Sequence, residues 1–264
     1  MKLPAIFQRS ISTMAANLEL ARRRHARRRT VSMVDVKPVV EIIAIAGVAI
    51  ILAAILLDMP IVLYRGHYPD YVHDTAQILT RFGESDWMLI PTGVALLLLT
   101  FRRVDQLAKL GRMRIFRWNL LLSYIFVGVG LPGLVSAIVK RLIGRPRPIR
   151  FDQDGLYGFS PFSDASYASF PSGHSTTIGA LAMVLAILMP KYRTAFFIVA
   201  MIIGATRVAV GAHHPSDVVA GLMFGAVTAF VLARVAAGYG LLFKDNAASW
   251  PELRPAHRLQ RLLE

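Results

Sequence analysis

The stretch PSGHSTTIGALAMVLAILMPKYRTAFFIVAMIIGATRVAVGAHHPSD, residues 171–217, decides how the chain is read. Two apolar runs, about 172–189 and 193–212, are separated by a short link carrying Lys191 and Arg193. His174 opens the first run, and Arg207 lies 33 residues further on. That separation suffices for one membrane crossing of about 20 residues, a tight link and a crossing back. Arg207 and His213 therefore return to the face at which His174 sits. Ionisable groups at membrane spans mark functional sites, and here several meet at one level.

Working outward, four more apolar runs appear, about 39–59, 86–101, 118–139 and 215–240. The run at 86–101 is short and holds Pro91. The 264 residues are 55% apolar and only 17% charged, with a mean hydropathy of +0.51. Soluble domains carry about 25% charged residues, so an ordinary soluble enzyme is excluded, and the apolar content excludes a disordered chain. The fold expected is all-α, a polytopic membrane helix bundle with about six transmembrane helices. Residues 1–37 form a basic cytosolic arm, 38–242 the six-span domain and 243–264 a polar cytosolic tail.

The net charge of +14 is unevenly placed. Residues 1–40 hold nine Lys and Arg against two acids, including Arg22, Arg23, Arg24, Arg27, Arg28 and Arg29. No apolar core of signal-peptide type precedes them, so no cleaved signal is expected. A basic arm can bind nucleic acid or act as a transit segment. The apolar run that follows directly favours a cytosolic flank attracted to anionic headgroups, so no nucleic-acid partner is expected. Segment 102–117, with six bases and one acid, and the 190–193 link also read as cytosolic. Segment 60–85, with Asp70, Asp74 and Glu84 against Arg65 and Arg81, reads as external. Both termini then lie inside. One external segment breaks the rule: 140–171 carries Lys140, Arg141, Arg145, Arg147 and Arg150. Cations on the wrong side serve something other than topology.

Three clusters carry chemistry on that outer face: Lys140 with Arg147-Pro148, Pro171-Ser172-Gly173-His174, and Arg207 with His213 and Asp217. Lys140, Arg147 and Arg207 facing one point need an anion, and guanidinium forks suit phosphate oxygens. Pro171 reads as the first helical residue. The N–H groups of Ser172, Gly173 and His174 then lie near a helix N-terminus, where anions bind and glycine permits close approach. Pro215 likewise starts the last helix, placing Asp217 where it reaches back to His213. Two histidines, one oriented by a carboxylate, divide the labour of phosphoryl transfer. One attacks phosphorus and the other protonates the leaving oxygen, while the cations stabilise the transferring group. No carboxylate cluster suits magnesium, and the absence of cysteine excludes disulfides, thiolate metal sites and a thiol nucleophile. No metal or other cofactor is expected.

These three ordered motifs resemble the type 2 phosphatidic acid phosphatase (PAP2) superfamily over residues 140–217, and the six-span layout extends the likeness over most of the chain. The one departure is Thr206, where the family often has Ser before the motif's Arg; the hydroxyl is kept. The resemblance implies that His213 is the nucleophile and forms a phosphohistidine, that Asp217 orients it, and that His174 is the acid for the leaving group. It implies that Lys140, Arg147, Arg207, Ser172 and the Gly173 N–H hold the phosphate. It points to a lipid phosphate as substrate, among them undecaprenyl diphosphate, lipid A phosphate, phosphatidylglycerol phosphate and phosphatidic acid. A bacterial inner membrane with the site on the periplasmic face is the setting implied.

Other readings attach to particular residues and to the whole. Arg141, Arg145 and Arg150 read equally well as snorkelling side chains. His214 reads as a helix cap and Glu41 as an interfacial acid. Phe151, Tyr157, Phe159, Phe162, Tyr167 and Phe170 read as an interfacial belt or as a lid over a lipid headgroup. Transfer of the phosphoryl group to a second lipid uses the same motifs. A transporter of anionic lipids would leave the His–Asp pair without a task, and the vanadium haloperoxidases, which resemble the same constellation, are soluble. Beyond lipid phosphate and membrane lipids, nothing in the sequence signals a partner or an oligomeric state.

Overall fold

The structure is a computed structural model and describes residues 37–65, 67–102, 107–244 and 250–255, with single positions 8, 11, 15, 19 and 22. Most of the basic arm and the end of the tail lie outside the described residues; of the arm's bases, Arg22 and Lys37 are described. In chain order the helices are α1 (Lys37–Leu56), α2 (Asp58–Leu63), α3 (Asp70–Thr80), α4 (Asp86–Phe101), α5 (Lys109–Ile143), α6 (Phe151–Asp154), α7 (Gly173–Leu188), α8 (Arg193–Ala209) and α9 (Pro215–Gly238). Two-residue strands, β1 (Phe243–Lys244) and β2 (Glu252–Leu253), pair antiparallel. Among the described residues, five helical stretches are long and apolar enough to cross a membrane, and Gly173–Leu188 is a shorter apolar helix. The chain is thus all-α with helices at each of the six expected runs. Ile45 and Ile55 on α1, Ile90 and Leu98 on α4, and Leu134 and Ile138 on α5 are exposed, as lipid-facing side chains must be.

Two stretches differ from the sequence expectation. The link expected at 102–117 is helical from Lys109, so α5 runs for 35 residues. The cause is amphipathicity: Met113, Ile115 and Phe116 are buried while Arg112 and Arg114 stay exposed. The stretch expected to be a polar tail starts with ordered structure. Phe243 is fully buried, its ring edge-on to Tyr124 at 4.8 Å between centroids. Arg254 Nε donates to the Phe243 carbonyl at 2.7 Å.

The chain forms two compact units. One takes Trp87–Val127 and the stretch from Val231 onward; the other takes Val36–Asp86 and Gly128–Phe230 and holds all three motifs. Within the latter, α7 packs on α8, and α3 also packs on α8. Ile178 and Ala182 of α7 meet Ala200 and Ile203 of α8 in a small apolar core. Helix α7 and the first half of α9 approach backbone to backbone. A Cβ on Gly225 would lie 2.0 Å from the Thr176 carbonyl oxygen, one on Gly221 2.5 Å from that of Ser172, and one on Gly179 2.3 Å from that of Leu222. Small residues allow membrane helices to come this close. They fix the height of α7 against α9, and with it the height of the second motif against the third.

Substitution of Gly225 by Ala should therefore destabilise the detergent-solubilised protein by about 1–3 kcal/mol through overpacking. Gly47→Ala in α1, where an added Cβ meets nothing within 4 Å, should be neutral or slightly stabilising. Denaturant unfolding of the two variants checks the contrast; equal effects would contradict the packing argument.

Candidate active site

Lys140 sits in the last turn of α5. The helix stops because Gly144 turns to φ +66, its N–H closing on the Lys140 carbonyl at 3.1 Å. Its backbone runs so close to Ser160 and Pro161 that a Cβ would lie 2.3 Å from them. From there, 144–147 lies alongside 160–169. Ser160 N–H donates to Gly144 O (2.7 Å), Arg147 N–H to Ser166 O (2.8 Å) and Ser169 N–H to Arg145 O (3.1 Å). Phe162 N–H adds a bond to Arg141 O at 2.8 Å. The aromatic segment is thus stitched at its backbone to the end of α5 while the rings of Tyr157, Phe159 and Phe162 stay exposed. This is a wall held in place.

Helix α7 begins at Gly173, with Ser172 as N-cap. Pro171 was expected as the first helical residue; it instead precedes the cap, after a cis bond from Phe170. The fully buried Ser172 hydroxyl accepts from Ser175 Oγ at 2.9 Å, and the Ser172 N–H is spent on the Asp217 carbonyl at 3.0 Å. The helix-end donors left for an anion are those of Gly173 and His174. A Cβ on Gly173 would lie 3.7 Å from Lys140 Nζ, so the ammonium stands beside this turn. His174 packs on Gly83, where a Cβ would lie 3.0 Å from its own. Arg207, in the last turn of α8, donates from Nη1 to Thr80 Oγ1 at 2.8 Å. Glu84 lies within electrostatic reach of Arg207. The end of α3 and the turn after it, a segment with no readable motif, thus line the site.

The loop after α8 turns at Gly211 (φ +68). The His213 N–H then closes on the Arg207 carbonyl at 3.2 Å. The buried His213 places Nδ1 2.9 Å from the Ser169 carbonyl oxygen. A carbonyl only accepts, so Nδ1 carries the proton and Nε2 keeps its lone pair. Asp217 Oδ2 lies 3.7 Å from His213 Nδ1, within ion-pair distance. It also accepts from the Ser169 hydroxyl at 2.6 Å. Burial pushes the His213 imidazole below the ordinary histidine value; Arg147 and Arg207 push the same way and Asp217 opposes them. Burial also lowers His214. The carbonyl of His214 accepts from Asp217 N–H at 3.1 Å at the start of α9, and its Nε2 donates to the Pro146 carbonyl at 3.2 Å.

Arg145 is no snorkelling residue. Only 4% exposed, it donates from Nη1 to Asp217 Oδ1 (2.6 Å) and Ser216 Oγ (2.7 Å), and from Nη2 to Asp58 Oδ2 (2.7 Å). Asp58, fully buried at the start of α2, also accepts from Ser216 N–H at 2.9 Å and Ser216 Oγ at 2.6 Å. Sequence reading passed over Asp58, Ser169, Ser216 and Thr80. A lone acid just after the first apolar run was the one available signal, since acids at membrane depth are costly unless paired.

The structure therefore brings together Lys140, Arg147, Gly173, His174, Arg207 and His213, with His174 within electrostatic reach of all three cations and of His213. Ser172 and Asp217 sit directly behind them. Arg147 is half-buried, within reach of Asp217. Among the described residues, no three His, Cys, Asp or Glu side chains converge as a metal-ligand set. The arrangement offers three cations and two helix-end N–H donors to an anion, with the unprotonated Nε2 of His213 on the loop that closes back on Arg207.

Comparison with known proteins places this site in context. The PAP2 superfamily model matches residues 118–239. A lipid A 1-phosphatase of Rhizobium johnstonii is 44% identical over 208 residues, 77% of this chain and 83% of that protein. A lipid A 1-phosphatase of Rhizobium etli is 40% identical over 208 residues, 77% and 87% of the respective chains. Among solved structures, a transmembrane PAP2-type phosphatidylglycerolphosphate phosphatase from Bacillus subtilis superposes with a TM-score of 0.44 at 20% identity, covering 85% of this chain and 94% of that one.

Truncating Asp58 to Ala leaves Arg145 buried with one carboxylate, and should cost roughly 3–5 kcal/mol of stability. The double variant Asp58→Ala with Arg145→Met removes both charges, and should lose less than the sum of the two single changes. Additive losses in denaturant unfolding would show that the pair is not coupled.

Proposed function

The chain belongs to the PAP2 superfamily and is an integral membrane phosphatase of lipid phosphates; from that premise we propose that it hydrolyses the phosphate of a lipid A-type glycolipid through a phosphohistidine on His213. The observation that carries the mechanism is the 2.9 Å contact of His213 Nδ1 with the Ser169 carbonyl, which leaves Nε2 as the free nucleophile. The substrate assignment draws on the two Rhizobium relatives, which align over most of their length.

In the first step, His213 Nε2 forms a bond to phosphorus while the bond from phosphorus to the lipid oxygen breaks. His174 gives its proton to that oxygen, so the lipid leaves as an alcohol. Lys140, Arg147, Arg207 and the Gly173 N–H hold the three non-bridging oxygens, where charge accumulates. The phosphate's own charge offsets the repulsion that a protonated His174 feels among these cations. In the second step, a water attacks phosphorus, its proton returns to His174, the N–P bond breaks and inorganic phosphate leaves. Ser172 takes part by capping α7 and so fixing the Gly173 N–H. Asp217 holds Ser169 and, through its carbonyl, the His213 tautomer.

The site faces the periplasm in this reading, with both termini cytosolic in a bacterial inner membrane. The basic segments 102–117 and 190–193 support that orientation, since both lie at the ends of the spans remote from the motifs.

Two outcomes test this. Detergent-solubilised protein in excess chelator should release phosphate from lipid A in preference to phosphatidylglycerol phosphate, phosphatidic acid and undecaprenyl diphosphate. His213→Ala should lower kcat/KM by about 10³-fold or more. An absolute need for magnesium, or a His213→Ala variant of near-normal rate, would refute the mechanism. The second outcome is a pH profile. The reactive His213 is neutral and its pKa is depressed, so the acid limb of kcat/KM should lie below a pH of about 6.5, while the need for a protonated His174 sets a separate loss of rate as pH rises. An acid limb centred at pH 7 or higher would show that another group limits the reaction.

A further inference from the structure

At the loop that leads into His213 lies a cavity of about 480 Å³ walled by Arg65, Tyr68, Asp70, His73, Ile149 and Gly211, among others. Its volume is that of a small-ligand site. Arg65, Tyr68 and Gly211 also line a narrow crevice that touches His213 and His214, so the cavity adjoins the nucleophile. Gly211 turns at φ +68, and a Cβ there would meet nothing within 4 Å, so this wall is open to a ligand two residues before His213.

The chemistry of this wall differs from that of the phosphate site. There, the facing side chains are cationic donors, which select an anion. Here a guanidinium, a phenol, a carboxylate and an imidazole stand together, so donors and acceptors are mixed. The Arg65 charge is already met: it pairs with Asp152, donates to the Val62 carbonyl at 3.0 Å and lies 5.2 Å from the centroid of the Phe151 ring. Asp70 adds a negative charge. A second phosphate would find no unmatched cation on this wall. A neutral, hydroxyl-rich ring, whose hydroxyls both donate and accept, fits it.

The geometry points to a sugar subsite: the cavity takes the pyranose ring next to the scissile phosphate, with Asp70 and His73 bonding its hydroxyls. This rests on the phosphatase reading above and adds to it the feature that separates a glycolipid phosphate from a glycerol-based one. Glycerol phosphates would leave the cavity empty and be held by the cations alone.

The test compares lipid A with phosphatidic acid in wild type and in three variants, Asp70→Ala, His73→Ala and Ile149→Trp. Ile149 is 76% exposed, so a larger side chain there narrows the cavity without loading the core. For lipid A, kcat/KM should fall about tenfold in each variant, mainly through KM, as expected for a lost hydrogen bond or a blocked ring. For phosphatidic acid it should stay within about twofold. Equal losses on both lipids, or no loss on either, would overturn the subsite. Equilibrium binding of the same two lipids to the solubilised proteins needs no turnover. If wild type hydrolyses neither lipid, the phosphatase reading fails, while the ratio of the two binding constants across the variants still decides the cavity.

Discussion

The guanidinium of Arg145, clasped between Asp58 and Asp217, is the contact on which the rest of the site depends. Three charges leave water together there, which is tolerable only because nearly every oxygen and N–H in the cluster has a partner. The cluster ties the start of α2 to the loop after α5 and to the first turn of α9. It also spends the carboxylates. Asp58 and Asp217 are consumed by Arg145, Ser216 and Ser169. Lys140 and Arg207 are left within reach of one another, with Glu84 near Arg207. In the proposed mechanism a bound phosphate relieves that repulsion, and the buried network favours the anion without touching it.

Helix height is the second constraint. Gly179, Gly221 and Gly225 let α7 and α9 meet backbone to backbone. The Ser172 N–H then reaches the Asp217 carbonyl, and the cap of one helix is locked to the first turn of the other. From that lock follows the placement of Ser169, three residues before the cap. Its carbonyl fixes the His213 tautomer and its hydroxyl holds Asp217. A packing property of three glycines thus propagates to which imidazole nitrogen keeps its lone pair.

The spans and the three motifs were legible in the sequence because a membrane crossing has a fixed length. Thirty-three residues from His174 to Arg207 admit one return path, and the cations fell into place with it. The rest had no local signature. Asp58 lies 87 residues from Arg145, and an acid at the end of an apolar run looks the same whether it is interfacial or paired at depth. Ser169 acts through its carbonyl, a group every residue has. Pro171 gave a false helix start because Ser172 outcompetes it as a cap, its hydroxyl satisfying the Ser175 N–H and Oγ. The nine extra residues of α5 were hidden by their arginines, which read as a loop until the buried Met113 and Phe116 reveal the other face.

The central claim is that phosphorus is attacked first by His213 and only then by water. The stereochemical course at phosphorus, measured on a lipid carrying a chiral 18O-labelled phosphorothioate hydrolysed in 17O-enriched water to chiral inorganic thiophosphate, tests it most directly. Two in-line displacements through a phosphohistidine predict retention of configuration. Inversion would mean a single displacement by water, and would contradict the role given to His213 Nε2.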